Sequence, residues 1–206
     1  MKLFLTSALS QTIGLLKDRI ADSADRVLFI TNAADPFDVT PWVDADREAF
    51  KNNGFKVEDV DLRTYNLDQF EMKLKNADII HFCGGSVFYL LSLLKNKGFE
   101  DIIIKYVKNE QIIYTGTSAG SIIVAPTCDI YQYDTDENPF YKNSDEAKGL
   151  DLAHVVILPH CNNPEFTENN KNVVAHASTY HIPLLLLHDN HALWVGDSIF
   201  EVLQTK

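Results

Sequence analysis

The stretch Gly116-Thr117-Ser118-Ala119-Gly120 lies between two apolar segments, residues 112–115 and residues 121–125. The first segment is β-branched and aromatic, as in a strand, and the second can start a helix. A serine flanked by small residues between strand and helix is typical of the nucleophile elbow of serine hydrolases. Glycines on both sides favour this interpretation, because such a tight turn leaves little room for a Cβ atom. The alternative is an ordinary strand-to-helix turn, since a bare G-x-S-x-G is common by chance.

Around this stretch, short apolar runs alternate with segments of helical spacing. The alternation predicts an α/β fold with a mostly parallel sheet flanked by helices. Apolar runs around Gly196 and Asp197 predict an antiparallel C-terminal hairpin over residues 193–203. The predicted strands are residues 2–5, 26–31, 56–61, 78–83, 111–115, 154–158, 183–187 and 192–195. The predicted helices are residues 11–20, 44–53, 67–75, 88–96, 99–109 and 165–181.

Composition limits the number of domains and the kinds of partner. A chain of 206 residues with 46% hydrophobic content can bury one sizeable core, which predicts a single domain over residues 1–206. The net charge of -11 argues against nucleic-acid and anionic-membrane partners. No apolar run reaches the roughly 18 residues of a membrane span. The 3 cysteines form no C-x-x-C pair, which favours a reducing cytoplasm and argues against a zinc or redox site.

A serine nucleophile needs a base, and two of the seven histidines follow apolar runs. His160 comes after residues 155–159, and His188 after residues 184–187. Ligands of parallel sheets bind beyond the carboxyl ends of the strands, so both histidines are candidates. His160 is the favoured base, although a histidine hydrogen-bonded to a loop is the ordinary alternative. His81 lies inside a predicted strand and is interpreted as a core residue.

The carboxylate that orients the base depends on which histidine acts. With His160 as base, Asp189 can hold its tautomer, giving the order Ser, His, Asp. With His188 as base, the carboxylate comes from Asp134 or Asp136, giving the order of α/β-hydrolases. Asp189 can also be a turn residue, since Asp is favoured in turns. The remaining histidines have no partner visible in sequence and no metal-ligand spacing, so no metal is predicted: His154, His176, His181 and His191.

An oxyanion hole requires amide groups aimed at the developing charge. The N–H of Ala119, directly after the nucleophile, is one candidate. Gly84 and Gly85, which follow a predicted strand, are the others. No phosphate-binding motif surrounds these glycines, so no nucleotide cofactor is predicted, and no other cofactor is implied. Residues 127–149, acidic and without periodicity, form a long loop that is expected to be functional or mobile.

Taken together, these residues resemble peptidase E, the aspartyl dipeptidase branch of the S51 serine peptidase family, which also contains the cyanophycinases. The resemblance covers nearly the whole chain and rests on Gly84-Gly85, on residues 116–121, on Ala125-Pro126 and on Leu158-Pro159-His160. It implies Ser118 as nucleophile, His160 as base and an acidic residue after the next strand, here Asp189. Family members commonly have glutamate there, and Asp134 is the other choice. The implied fold is similar to class I glutamine amidotransferases, whose elbow carries cysteine instead of serine.

One departure from the family bears on substrate. Aspartyl dipeptidases usually have an arginine in the helix after the catalytic histidine, which binds the carboxylate of the substrate side chain. Here residues 164–171 include acidic and amide-bearing side chains, and Lys171 is the only cation among them. Strict preference for an N-terminal aspartate is therefore not expected.

The favoured function is a cytoplasmic serine peptidase that hydrolyses small peptides, dipeptidase-like, through an acyl-enzyme on Ser118. Its expected state is a monomer or a small homo-oligomer. Two alternatives stay open at this point: an esterase or amidase that uses the same site, and a non-catalytic α/β binding module in which the elbow is only a turn.

Overall fold

The computed structural model describes residues 1–196 and 199–205. Seven of the described strands form one sheet in the order β3-β2-β4-β5-β1-β8-β9, and two more, β6 and β7, form a separate pair. The strands are β1 (Leu3–Thr6), β2 (Arg26–Ile30), β3 (Lys56–Val60), β4 (Ile79–Phe82), β5 (Ile113–Thr117), β6 (Val156–Leu158), β7 (Leu184–Leu186), β8 (His191–Gly196) and β9 (Ile199–Gln204). The helices are α1 (Leu9–Lys17), α2 (Pro41–Asn52), α3 (Leu67–Lys75), α4 (Val87–Lys97), α5 (Glu100–Lys108), α6 (Ala119–Ile122) and α7 (Thr167–His176).

The central strands of the large sheet are parallel and buried. β1 pairs with β5, β5 with β4, β4 with β2 and β2 with β3, all in parallel register. Every residue of β1 and β4 is buried, which explains why these strands are mostly apolar, apart from Thr6 and His81, rather than alternating. The predicted fold class, a mostly parallel sheet flanked by helices, is confirmed.

The C-terminal strands are antiparallel, as predicted. β8 pairs with β9 from His191 opposite Gln204 to Gly196 opposite Ile199, and β8 also pairs with β1 in antiparallel register. The predicted turn between them includes Asp197, which lies outside the described residues together with Ser198.

β6 and β7 were expected in the same sheet as the other strands, and the structure separates them. They pair in parallel with each other, Val156 opposite Leu184 and Leu158 opposite Leu186. Both edges of β1 are already occupied, by β5 and β8, so no edge of this central strand is left for β6. The segments directly after the two short strands contact the residue that follows β1, since Ser7 bonds both Leu187 and His160.

Several predicted boundaries shift for local reasons. α2 begins at Pro41, three residues earlier than predicted, because proline is favoured in the first helical turn. α7 is shorter than predicted and has a 3₁₀ turn on each side, at Pro164–Phe166 and Ala177–Thr179. The helix after the elbow has four residues only. The long loop contains two 3₁₀ turns, Asp129–Tyr133 and Asn138–Phe140.

Candidate active site

Ser118 occupies a sharp turn between β5 and α6. Its backbone has φ 49° and ψ -110°, a combination that residues with a Cβ adopt rarely and at a cost. The Ser118 N–H donates to Thr6 O at 2.9 Å, which fixes the turn to the end of β1. Within the described residues, the Ser118 hydroxyl makes no hydrogen bond, and the side chain is half-buried. A strained serine with an uncommitted hydroxyl fits a nucleophile elbow.

The turn depends on close packing between α6 and β4. A Cβ atom on Gly120 would lie 2.1 Å from Phe82 O, well inside contact distance. Any larger residue at this position would force the helix away from the sheet. This is the physical reason for the second glycine of the pentapeptide.

His160 and Asp189 form a close pair beside β6 and β7. His160 Nδ1 lies 2.6 Å from Asp189 Oδ1, and each side chain is 14% exposed. The imidazole stacks on the Phe166 ring with centroids 4.3 Å apart. The Asp189 N–H donates to Asn162 Oδ1 at 2.9 Å. With Nδ1 facing the carboxylate, Nε2 is the ring nitrogen left to exchange a proton.

The end of β1 holds the elbow and the histidine side by side. Thr6 accepts the N–H of Ser118, and the next residue, Ser7, accepts the N–H of His160 on its hydroxyl at 3.2 Å. The Ser7 hydroxyl in turn donates to Leu187 O at 3.1 Å, two residues before Asp189. Thr6, the last residue of β1, and Ser7, which follows it, thus connect the segments that carry Ser118, His160 and Asp189.

His160 also has an unusual backbone, with φ 59°. Non-glycine residues with positive φ are uncommon, and such strain is often concentrated at functional sites. The described chain has two others, Glu110 and Asp151. Ser118 and His160, the predicted nucleophile and base, are therefore half of the non-glycine residues with this strain.

The rival base and carboxylates have other partners. The His188 ring stacks on the His191 ring with centroids 4.7 Å apart, and the backbone N–H of His188 donates to His191 Nδ1 at 3.4 Å. Asp134 Oδ1 accepts N–H groups of its own loop, from Asp136 at 2.8 Å and Glu137 at 3.3 Å. Burial raises the pKa of the Asp134 carboxyl. The Asp136 carboxylate accepts a hydrogen bond from Asn169 at 2.8 Å.

Two of the predicted oxyanion donors, Gly84 and Ala119, lie next to Ser118, and the third, Gly85, follows Gly84 in the chain. A Cβ atom on Gly84 would lie 3.4 Å from Ser118 Cβ, so the two residues are direct neighbours. Within the described residues, the N–H groups of Gly84, Gly85 and Ala119 have no acceptor. Unpaired N–H groups next to a candidate nucleophile are the groups that an oxyanion hole requires.

The long acidic loop reaches the same region through Glu137. This carboxylate is 8% exposed and accepts hydrogen bonds from the Val87 N–H at 2.8 Å, the Ser86 hydroxyl at 2.9 Å and the Phe88 N–H at 3.3 Å. It therefore caps α4 directly after Gly84 and Gly85. Burial raises the pKa of Glu137 to about 7, although the three donors hold it down.

The remaining candidates lie elsewhere. His81 is fully buried, as predicted, and its Nδ1 contacts Thr115 Oγ1 at 2.9 Å. Its Nε2 has no hydrogen-bond partner and lies 3.6 Å from Asp46 Oδ2, so it is only partly satisfied. Burial raises the pKa of the Cys83 and Cys128 thiols, which disfavours thiolate chemistry.

In residues 1–196 and 199–205, no group of three His, Cys, Asp or Glu side chains could hold a metal ion. The same residues contain no helix of the length and apolarity that crossing a bilayer requires. Lys171 is the only cation in residues 164–171, the segment in which the family usually has its arginine. It is exposed and pairs with Glu168 at 2.6 Å.

Sequence reasoning missed five residues that support the site. They contact a candidate residue or, for Glu137, the helix start directly after Gly84 and Gly85, and the Trp42 indole N–H donates to Gly84 O at 3.0 Å: Ser7, Trp42, Glu137, Asn162 and Phe166. Asn162 and Phe166 follow His160 closely, so their spacing was a usable signal. The others carried none, because their roles depend on which segments meet in space.

Comparison with known proteins identifies the family of the chain. The family model of peptidase family S51 matches residues 3–203. The chain belongs to peptidase family S51. Membership identifies it as a peptidase, and so as a hydrolase with a peptide substrate.

Relatives of this S51 peptidase have similar lengths. An uncharacterized peptidase of Listeria monocytogenes is 31% identical over 173 residues, covering 84% of this chain and 83% of that protein. An uncharacterized peptidase of Pasteurella multocida is 29% identical over 199 residues, covering 95% and 94%.

Solved structures share its fold. The crystal structure of a "Putative Peptidase E Protein" from Listeria monocytogenes EGD-e has a TM-score of 0.88 at 27% identity, covering 100% of this chain and 98% of that one. A peptidase from an acI-B1 Actinobacterium has a TM-score of 0.69 at 17% identity, covering 99% and 87%, and shows the fold alone.

Proposed function

We propose that this S51 peptidase is a serine peptidase that hydrolyses small peptides through an acyl-enzyme on Ser118. The single observation that supports it most is the His160–Asp189 pair, at 2.6 Å, attached through Ser7 to the strand end that also holds Ser118. A base whose second nitrogen faces a carboxylate is the arrangement that activates a serine hydroxyl.

In the first half of the reaction, His160 Nε2 takes the proton of Ser118 Oγ as this oxygen attacks the scissile carbonyl carbon. The Asp189 carboxylate accepts the Nδ1–H and stabilises the imidazolium that forms. The N–H groups of Gly85 and Ala119 donate to the oxyanion of the tetrahedral intermediate. The intermediate then collapses, the peptide C–N bond breaks and His160 donates its proton to the leaving amine.

In the second half, His160 takes a proton from water, and the resulting hydroxide attacks the acyl carbon on Ser118. A second tetrahedral intermediate collapses to release the carboxylic acid, and His160 returns the proton to Ser118 Oγ. The cycle uses one water molecule, and no cofactor or metal takes part in it.

The substrate class within peptides follows from charge. Binding a substrate carboxylate without a cationic partner would be costly, and Lys171 is exposed and paired with Glu168. We therefore propose as substrates small peptides whose N-terminal side chain carries no carboxylate. A cytoplasmic location and a monomer or small homo-oligomer stay predictions from the sequence.

The test combines active-site labelling with paired variants. A fluorophosphonate probe should label Ser118, located by mass spectrometry, and Ser118→Ala should lower kcat on a dipeptide by about 10⁴-fold or more. His160→Ala should be as damaging, and the double variant little worse, because the two residues act as a unit. His188→Ala is the matched control and should stay within about threefold of wild type.

The outcomes separate the competing functions. Wild-type turnover in Ser118→Ala would exclude a serine peptidase. Inactivation by His188→Ala instead of His160→Ala would change the base. Turnover of esters without turnover of any dipeptide would favour an esterase, and absence of labelling and of turnover would favour a binding module.

A further inference from the structure

The peptide group between Gly84 and Gly85 is held by an indole from a distant helix. Trp42 Nε1–H donates to Gly84 O at 3.0 Å, and the Cys83 thiol also contacts this oxygen, at 3.2 Å. In a planar trans peptide, the C=O and the following N–H point to opposite sides. The hydrogen bond that fixes Gly84 O therefore also fixes the direction of the Gly85 N–H, which points away from the indole nitrogen.

This peptide group is the part of the segment whose orientation the flanking backbone hydrogen bonds hold least. On its two sides, Cys83 N–H donates to Ile30 O at 3.1 Å and Ser86 N–H donates to Ala33 O at 2.8 Å. Between these anchors, both residues are glycines, whose wide range of φ and ψ allows the peptide plane to rotate. Gly85 has φ 145°, a conformation open to glycine alone at little cost.

The Trp42 indole is itself held in a position to fix the orientation of this peptide group. It lies in the first turn of α2, behind Pro41, and it is half-buried. The Phe37 ring meets the indole edge-on, with centroids 5.8 Å apart and an interplanar angle of 81°. A Cβ atom on Gly84 would lie 3.5 Å from Trp42 Cδ1, at the edge of the indole, and 3.4 Å from Ser118 Cβ. The indole and the nucleophile are thus both close neighbours of Gly84.

We propose that Trp42 is a positioning residue of the oxyanion hole: its indole N–H orients the Gly84–Gly85 peptide so that the Gly85 N–H is directed at the oxyanion. The inference rests on the proposed function, since it assigns a role within the same site. Its consequence is that Trp42 acts on the transition state, where negative charge develops on the substrate oxygen, and much less on substrate binding.

The test removes the indole N–H and keeps the ring. Trp42→Phe retains an aromatic side chain, and replacement of Trp42 by 3-benzothienylalanine retains the bicyclic shape while a sulfur takes the place of the N–H. Loss of a whole oxyanion donor lowers kcat by roughly 10²–10³-fold. Because the Gly85 N–H stays and only its orientation is freed, we expect kcat on a dipeptide to fall about tenfold, with KM within about twofold.

A second readout separates positioning from general damage. A dipeptide boronic acid, which forms a tetrahedral adduct on the serine, should bind about tenfold more weakly to both variants. A reduced-amide dipeptide, which resembles the substrate only, should bind as it does to wild type. Phe37→Leu, which disturbs the packing of the indole but keeps its N–H, is the control and should change neither affinity by more than about twofold.

The result that overturns the inference is a folded benzothienylalanine variant with kcat and boronate affinity within twofold of wild type. If Trp42→Phe does not fold, the benzothienylalanine variant decides alone, because its shape is that of tryptophan. Full turnover in Ser118→Ala would overturn the proposed function and this inference together. An inactive Ser118→Ala beside an unaffected Trp42 variant would overturn the positioning role alone.

Discussion

Replacing Ser118 by glycine should abolish hydrolysis and still give a more stable protein than replacing it by alanine. The backbone at this position has φ 49° and ψ -110°, outside the regions that residues with a Cβ prefer. Strain of this kind costs roughly 1–3 kcal/mol and is relieved by glycine but not by alanine. Against this, glycine lowers the free energy of unfolding by about 0.4–1 kcal/mol relative to alanine, because it gives the unfolded chain greater freedom.

The expected difference is therefore about 1 kcal/mol in the free energy of unfolding, in favour of Ser118→Gly. For a chain of this length, that corresponds to about 2–4 °C in Tm. The hydroxyl adds little to the comparison, because both variants lack it and it makes no hydrogen bond within the described residues. Urea unfolding followed by circular dichroism, with thermal melts in parallel, measures the difference.

Ser10 provides a control of opposite sign. It lies exposed on α1, where glycine is a poorer helix former than alanine. Ser10→Gly should therefore be less stable than Ser10→Ala, by up to about 1 kcal/mol. If Ser118→Gly is as stable as Ser118→Ala or less so, the backbone of residue 118 stores no strain and the reasoning fails.

Three further predictions concern the triad, the substrate and pH. Asp189→Asn should lower kcat by about 10²–10⁴-fold, because an amide cannot stabilise the imidazolium. The kcat of Asp134→Asn should stay within about threefold of wild type, and the reverse pattern would place the third member of the triad in the acidic loop. In kcat/KM, Asp-Leu should not exceed Ala-Leu by more than about tenfold, roughly 1.4 kcal/mol, and a larger preference would show that a cation reaches the substrate. Burial raises the pKa of Glu137 from 4.5 to about 7, so the folded protein holds this proton more tightly than the unfolded chain. The free energy of unfolding should then fall by up to about 3 kcal/mol between pH 4.5 and 7, a decrease that Glu137→Gln should lack; equal pH slopes in urea melts would contradict it.

The sequence by itself determined the features that depend on neighbouring residues. The small residues around Ser118 predicted the sharp turn, because the steric limits of such a turn are set by the residues within it. Runs of buried apolar residues predicted the parallel strands, and the pattern after residue 190 predicted the antiparallel pair β8–β9. Gly84 and Gly85 were singled out because paired glycines after a strand leave their N–H groups accessible.

Tertiary structure alone decided which carboxylate meets which histidine. Asp189, Asp134 and Asp136 were all candidates in the sequence, and Asp189 lies against His160 because β6 and β7 pair outside the main sheet and end together. The roles of Ser7, Trp42 and Glu137 have the same origin. Each bonds a segment at least 42 residues away along the chain, so its role depends on which strand ends and helix ends meet. A short turn is encoded by its own residues, whereas these contacts are set by the packing of the whole sheet.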